Sequence, residues 1–328
     1  RGAFLGLARV LAQAPFPFHL LASVRRGLFH ALSFFRHPPP LPYYTSMFLR
    51  AGGESEPLLH GAFLIFPLIA VASMYSLARR FTRRPLAASL LLVFTPGFLV
   101  MSHAIMGNLP GTSLWLAATS LFVWGVDRNS WKLPLASGLA MSASIMIFAQ
   151  GLSLFAILPL YAVLKFRFQL KTWLKVFATF IIPAAVYGFW RFYISHRYGR
   201  PPAISYRVDF HADTELRSLL AFLGGSIIFP LSTWVVFLRR RFDLLVAFAL
   251  LPPLIAWVAV YYVAQGDLTL VEGIQVAVLA IAGFLVIYGF LSSSAREAGR
   301  LIRDRKGSID SIFLLVWFVG VAVIYAGT

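Results

Sequence analysis

The chain contains no cysteine, which excludes disulfides, thiol nucleophiles and cysteine metal ligands. Charged residues are also scarce, since they make up 12% of the sequence against about 25% in an average soluble domain. Acidic residues are fewer than basic ones, with 12 Asp and Glu against 29 Lys and Arg, which gives a formal net charge of +17. The sequence also lacks a Walker-type phosphate loop, a dinucleotide-binding fingerprint and an HExxH motif.

Hydrophobic residues take the place of the missing charge. They make up 59% of the chain, and the mean hydropathy is +0.78. Apolar runs of about 20 residues recur, the length that crosses a bilayer as a helix. The sequence therefore predicts an all-α polytopic membrane protein. Ten spans are predicted, at about 58–78, 86–103, 110–126, 133–148, 151–164, 173–194, 217–238, 243–263, 268–291 and 310–327.

Two features of the predicted spans need comment: the link between two short spans, and the two ends of the chain. The spans 133–148 and 151–164 are short and are separated only by Gln150 and its neighbours, so they form either a tight hairpin or one broken helix. The chain also begins with Arg1 and stops at Thr328, directly after an apolar run. We therefore expect a bundle over 58–328 that is truncated at both ends.

The loops between the spans alternate in charge. Five of them hold 18 Lys and Arg: ARRFTRRP, DRNSWK, KFRFQLKTWLK, RRR and AREAGRLIRDRK. Basic loops stay in the cytoplasm, which predicts a multi-pass protein of the plasma (inner) membrane and membrane lipid, rather than nucleic acid, as the partner of the positive charge. The other loops, HAIMGNLPG, AQG, 195–216 and AQGDLT, and the segment 1–57 then lie on the periplasmic or extracellular side. All seven histidines fall on that side, which we interpret as the active face.

The first 57 residues are predicted to form an outer loop with interfacial helices. Apolar residues recur at helical spacing from Leu20 to Phe35, while Arg25, Arg26 and His30 fall between them, a pattern typical of amphipathic helices lying on a membrane surface. The alternative is an ordinary connector packed on the bundle.

The stretch HPPPLPYY, His37 to Tyr44, is predicted to be a stiff extended strap. Its three consecutive prolines fix φ near −65° and remove backbone donors, so no helix is expected before Leu41. Such a strap would hold His37, Tyr43 and Tyr44 beside the bundle; the alternative is a rigid turn that starts a helix.

A second candidate segment runs from Leu91 to Ala118. A helix with Pro96 and Gly97 is expected to end near Ser102, followed by a short outer loop, 103–108. Proline is tolerated in the first turn of the next helix. Asn108 precedes that turn and is suited to N-cap it, which is the structural alternative to a functional role.

Together these stretches resemble the polyprenol-dependent glycosyltransferases of the GT-C fold. The order HPPPLPYY, then GGESEPLLHGAFLIFPLIAVASMYSLARRFTRRPLAASLLLVFTPGFLVMSHAIMGNLPG, is closest to the family 39 group of protein mannosyltransferases and aminoarabinose transferases. The resemblance covers residues 36 to about 126, and the late stretch DSIFLLVWFVGVAVIYAG is similar to one of the family's helices.

The resemblance implies an activity, a donor and a set of site residues. It implies a glycosyltransferase that moves a hexosyl or pentosyl group from a polyprenyl-phosphate carrier to an acceptor on the outer face, with a carboxylate near the acceptor and cations or a divalent metal near the phosphate. No acid precedes Glu54, so the main catalytic acid is expected upstream of Arg1. Asn108 stands where the family commonly has Asp, and an amide orients but is not a base.

The residues themselves supply further candidates. Arginine recognises phosphate bidentately, although headgroup contact is an equal explanation for those around 195–216. Glu272 lies near the outer end of a late span and is a candidate for substrate contact. The catalytic candidates are thus Asn108 and Glu272; the substrate-binding candidates are His37, Tyr43, Tyr44, His103, Arg191, Arg197, Arg200 and Arg207; and the weak metal candidates are His211, Asp209 and Asp213.

Two other classes of function remain open. Prolines within the late spans, such as Pro230 and Pro252, are typical of the broken helices of a lipid or sugar transporter. Asn108 and the missing early acid favour a non-catalytic subunit that works with membrane protein partners.

Overall fold

The computed structural model describes residues 40–53, 55–198, 269–304 and 309–326, and the single positions 220, 224, 225, 245, 249, 252, 253 and 256. All regular structure in these residues is helical, which confirms an all-α fold. The helices are α1 Pro40–Gly52, α2 Glu56–Phe63, α3 Ile65–Phe81, α4 Pro85–Val93, α5 Pro96–Ser102, α6 Asn108–Asp127, α7 Lys132–Ile147, a 3-10 helix Ala149–Ser153, α8 Leu154–Phe166, α9 Leu170–Tyr198, α10 Leu270–Asp304 and α11 Ile309–Ala326.

Several of these helices are long and apolar enough to cross a membrane. Four qualify in the described part of the chain: Glu56–Phe81, Asn108–Asp127, Leu170–Tyr193 and Val271–Arg296. Helices α4 and α5 make a fifth if their pair, bent by 64°, is one span. The described helices lie over eight of the ten predicted spans, while 217–238 and 243–263 lie almost wholly outside the described residues. The chain is therefore a multi-pass membrane protein.

The chain divides into two compact units. The first comprises residues 1–89 and 100–205, and the second comprises 90–99 and 206–328. In the first unit, α7 packs against α6 and α9 through small residues. A Cβ on Gly138 would lie 2.6 Å from the Thr179 carbonyl oxygen, and the Ser137 hydroxyl donates to the Ala118 carbonyl at 2.7 Å. Close backbone approach and interhelical hydroxyl bonds are typical of helix packing in lipid.

The question of hairpin or broken helix around Gln150 is settled by contacts at both ends of α8. At its start, Trp115 Nε1 donates to Ser153 Oγ at 3.0 Å, near the beginning of α6. At its end, Lys165 Nζ donates to Asp127 Oδ1 at 2.8 Å, at the last residue of α6. Helix α8 therefore runs parallel to α6 and antiparallel to α7, which makes the 133–164 region a hairpin. The packing partners of α8 are α6 and α9.

In the second unit, the start of α10 and its middle are fixed by different means. Thr269 and Glu272 form a reciprocal cap at its first turn. Further along, a Cβ on Gly283 would collide with the carbonyl oxygen of Leu220. Only glycine permits this approach of two backbones.

The prediction of an extended strap through Tyr44 is wrong in its second half. Helix α1 begins at Pro40, so Tyr43 and Tyr44 lie on a helix. The physical reason is that Pro40 and Pro42 both fall in the first turn, where a missing N–H breaks no helical bond. Residues 1–39, including His37 and the predicted interfacial helices, lie outside the described residues.

Candidate functional site

Three separate segments meet at one end of the first unit: the first turn of α1, the loop 103–107 and the corner 148–153 between α7 and α8. We call this end the strap end. Leu41, Phe63, Phe66 and Ile147 form its buried cluster, and Ile105 and Phe148 pack against them. The two predicted outer loops HAIMGNLPG and AQG thus lie together with the helical half of HPPPLPYY.

Tyr44 is a packing residue of the strap end. Its ring contacts Phe63 and Phe66 edge-on, at centroid distances of 5.9 and 5.4 Å. Its hydroxyl donates to the Ala62 carbonyl at 2.7 Å. Burial raises the pKa of Tyr44 above its ordinary value, so the hydroxyl remains a protonated donor. Its neighbour Tyr43 is half-buried.

The loop 103–107 and the first residue of α6 each present one polar side chain to the exterior, His103 and Asn108. Helix α5 ends at Ser102, as the sequence predicted. The prediction that Asn108 caps the next helix is wrong: the N-cap position of α6 is Gly107, and no side-chain hydrogen bond caps the helix. Asn108 occupies the first helical position instead, because the chain turns one residue earlier than the Leu-Pro pair suggested. His103 and Asn108 are both exposed.

The corner 148–153 is tied closely to α6. A Cβ on Gly111 would lie 2.6 Å from the Phe148 Cβ, and the Ser144 hydroxyl donates to the Gly111 carbonyl at 2.9 Å. Gln150 lies in this corner. Its amide oxygen, Oε1, is buried and has no hydrogen-bond partner in the protein.

Glu272, the second catalytic candidate, has a local structural role. Its Oε2 accepts hydrogen bonds from the Thr269 backbone N–H at 2.9 Å and from the Thr269 hydroxyl at 2.7 Å. The Thr269 Oγ1 in turn accepts the Glu272 N–H at 3.4 Å. This is the capping box of α10, so one oxygen of the carboxylate is already engaged.

The late part of α9 carries the described arginine candidates. Arg191 is half-buried and Arg197 lies in the helix. Aromatic rings surround this stretch, with Trp190 and Tyr193 at 6.5 Å and Phe192 stacked on His196 at 6.0 Å. Such rings are typical of membrane–water interfaces.

The remaining candidates cannot be placed. Within the described ranges, no group of three or more His, Asp or Glu is arranged to hold a metal ion. The predicted residues that lie outside these ranges are His37, Arg200, Arg207, Asp209, His211 and Asp213.

Sequence reasoning missed a charged cluster at the opposite end of the first unit, which we call the basic end. Asp127 pairs with Arg80 through the guanidinium Nε, and its Oδ1 accepts the Lys165 ammonium at 2.8 Å and the Tyr161 hydroxyl at 2.7 Å. The signal was present, since Asp127 is the only acid between residues 57 and 208. Arg80 lies at the end of α3, and Tyr161 and Lys165 lie near the end of α8. Together with Asp127, at the end of α6, they place the ends of three predicted cytoplasmic loops together.

The family match covers the helices that form both ends. Residues 36–192 match the family model of dolichyl-phosphate-mannose-protein mannosyltransferases, a family of GT-C glycosyltransferases. The match spans α1 to most of α9, and it confirms the resemblance found in the sequence. The match supports a membrane glycosyltransferase that uses a polyprenol-phosphate sugar donor. No curated protein and no solved structure matches the chain.

Proposed function

We propose that this protein transfers a sugar from a polyprenyl phosphate to an acceptor at the strap end, on the outer face of the plasma membrane. One observation carries the proposal: the residues that match the family model, 36–192, include all three segments that converge at the strap end. The charge of the loops supports the sidedness, because the opposite end gathers Arg80 and Lys165.

The reaction breaks the bond between the anomeric carbon and the phosphate oxygen, and forms a bond from that carbon to an acceptor oxygen. The acceptor proton passes to a general base, and the polyprenyl phosphate leaves with the bonding electron pair. Asn108 and His103 are exposed beside the loop that would face these groups. In this proposal Asn108 orients substrate through its amide, and the base is a carboxylate other than Asn108, since an amide does not accept the proton.

The test is sugar transfer by the full encoded protein, purified in lipid nanodiscs. Radiolabelled sugars on polyprenyl phosphate are supplied with extracted cell-envelope acceptors, with and without EDTA. Transfer of the label supports the proposal, and the EDTA arm decides whether a divalent metal participates. Failure to bind or transfer any polyprenyl-phosphate sugar would contradict it.

A second candidate, a non-catalytic subunit, is favoured by the amide at Asn108. This candidate expects the protein to co-purify with fixed membrane partners and to be inactive alone. An active isolated chain would exclude it.

A further inference from the structure

Gln150 is an exception to the general rule that buried polar groups in folded proteins are hydrogen-bonded. Its Oε1 is the single buried side-chain oxygen or nitrogen without a partner in the part of the chain that the structure describes. A carbonyl oxygen of this kind accepts hydrogen bonds but donates none. The unused acceptor lies in the corner 148–153, one of the three segments of the strap end.

The fold does not need this acceptor to make the corner. The turn is closed by backbone bonds, from Phe148 N–H to the Ser144 carbonyl at 2.7 Å and from Gly151 N–H to the Phe148 carbonyl at 2.9 Å. The neighbouring side-chain groups are engaged elsewhere, since Ser153 Oγ accepts from the Trp115 indole at 3.0 Å.

The corner is also too tightly packed for Gln150 to find a partner by a backbone shift. A Cβ on Gly151 would lie 2.8 Å from the backbone nitrogen of Ile145 and 2.9 Å from the Ser144 hydroxyl. The Ser144 hydroxyl itself donates to Gly111. The backbone around Gln150 is therefore closely packed, and a backbone shift does not bring a donor to its amide oxygen.

We infer that Gln150 is a substrate-binding residue whose amide oxygen accepts a hydrogen bond from a substrate hydroxyl at the strap end. This inference rests on the proposed function. A phosphate oxygen is an acceptor and does not pair with Oε1, so the partner is a hydroxyl of the transferred sugar or of the acceptor. Because Oε1 is covered, a side chain at the corner must move before the hydroxyl reaches it.

The test compares Gln150→Leu, which removes the acceptor at similar volume, with Gln150→Glu, which retains an acceptor oxygen. Gln169→Leu is the matched control, because Gln169 is exposed in the loop between α8 and α9 at the basic end. For each protein, kcat, the KM for the polyprenyl-phosphate sugar and the KM for the acceptor are measured separately. Thermal unfolding without substrate is measured in parallel.

We expect Gln150→Leu to raise one of the two KM values about tenfold, the scale of one lost hydrogen bond, and to leave the other unchanged. The affected substrate identifies the source of the hydroxyl. The melting temperature should stay level or rise, since an unpaired acceptor is replaced by an apolar group of similar size. Gln150→Glu should retain more of the affinity than Gln150→Leu.

Each contrary result has a distinct meaning. Wild-type activity with both KM values unchanged in Gln150→Leu would overturn the inference and leave the proposed function intact. A melting temperature below that of Gln169→Leu, or failure of Gln150→Leu to fold, would show that Gln150 stabilises the free protein, for example through a buried water, and would also overturn the inference. An inactive wild type would contradict the proposed function and the inference together.

Discussion

At the scale of single residues, Asp127 holds the basic end together. Its carboxylate is largely buried and lies against two cations and a tyrosine hydroxyl, which come from α3 and α8. Arg80 and Lys165 have no other acid nearby in sequence, because the first unit contains no further Asp or Glu beyond residue 57. One carboxylate therefore offsets the repulsion between two cations that the positive loops bring together.

The substitution Asp127→Asn is expected to destabilise the protein. It keeps the size of the side chain but replaces one of the two acceptor oxygens by an NH2 donor. It also leaves Arg80 and Lys165 close together without a counter-charge. Removing one partner of a buried ion pair is costly, and partial exposure here reduces the cost to about 2 kcal/mol. Thermal unfolding in detergent measures it, with Arg83→Gln, an exposed position of the same end, as the control. Equal melting temperatures for the two variants would contradict this role of Asp127.

The substitution Asn108→Ala separates function from stability at the strap end. No side-chain bond from Asn108 caps α6, so the change in unfolding free energy should stay within about 0.5 kcal/mol. If Asn108 orients substrate, kcat/KM for sugar transfer should fall about tenfold, the value of one hydrogen bond to substrate. The exposed Met106→Ala, two residues earlier, is the control. A loss of stability with unchanged kcat/KM would show that Asn108 has a structural role and does not orient substrate.

At the scale of elements, the packing of α6 against the corner depends on Gly111. The substitution Gly111→Ala introduces a Cβ 2.6 Å from the Cβ of Phe148, so α6 and the corner must separate. We expect a loss of about 1–3 kcal/mol, as for other overpacked sites, and a lower melting temperature. Gly188→Ala on the exposed face of α9 meets nothing within 4 Å and should stabilise by up to about 1 kcal/mol through helix propensity. Similar melting temperatures for Gly111→Ala and Gly188→Ala would contradict the close contact between Gly111 and Phe148.

The cap of α10 decides between two roles for Glu272. If Glu272 acts through the capping box, then Thr269→Ala and Glu272→Ala should cost similar stability, about 1 kcal/mol each, and should affect transfer equally. If its carboxylate contacts substrate, only Glu272→Ala should lower kcat, measured at a temperature where both variants are fully folded. Thermal unfolding and transfer kinetics of the two variants, with Thr269→Ser as the retained cap, give the answer.

The elements were predictable from the sequence to different degrees. Eight of the ten predicted apolar spans lie over described helices, because a lipid-facing segment must satisfy its backbone within one helix. The end of α5 at Ser102 followed from the loop that precedes Leu109 and Pro110. The start of α1 at Pro40 did not, since three prolines are compatible with both an extended strap and a first turn. The hairpin at 148–153 required contacts with Trp115 and Asp127, which lie far away in sequence.

The candidate site was less predictable than the fold. His103 and Asn108 were found because they lie in a short loop between two apolar spans. The unsatisfied oxygen of Gln150 and the engaged hydroxyl of Tyr44 depend on neighbours from other helices. No periodicity within one segment carries that information.

At the scale of the whole molecule, the absence of cysteine makes the sidedness of the first unit directly measurable. Met106 at the strap end and Phe168 at the basic end are both exposed. A cysteine introduced at either position is the only cysteine in the chain. The charge of the loops predicts that a membrane-impermeant maleimide labels Met106→Cys on intact cells and labels Phe168→Cys only after permeabilisation. Labelling of both from one side, or the reverse pattern, would contradict the predicted orientation.

The lengths of α7 and α9 also differ in a way that matters for a lipid substrate. The Thr179 hydroxyl donates to the Pro134 carbonyl at 3.1 Å, so the two helices are level at that contact. At 1.5 Å per residue, α9 then continues for about 28 Å and α7 for only about 20 Å. The 148–153 corner therefore ends about 8 Å short of the tip of α9, and α7 as a whole is shorter than the roughly 30 Å hydrocarbon core. The corner thus lies about level with Tyr193, where the apolar span of α9 ends. In the proposed reaction, a sugar on an isoprenoid anchor would meet the corner at the membrane surface, without being lifted away from it.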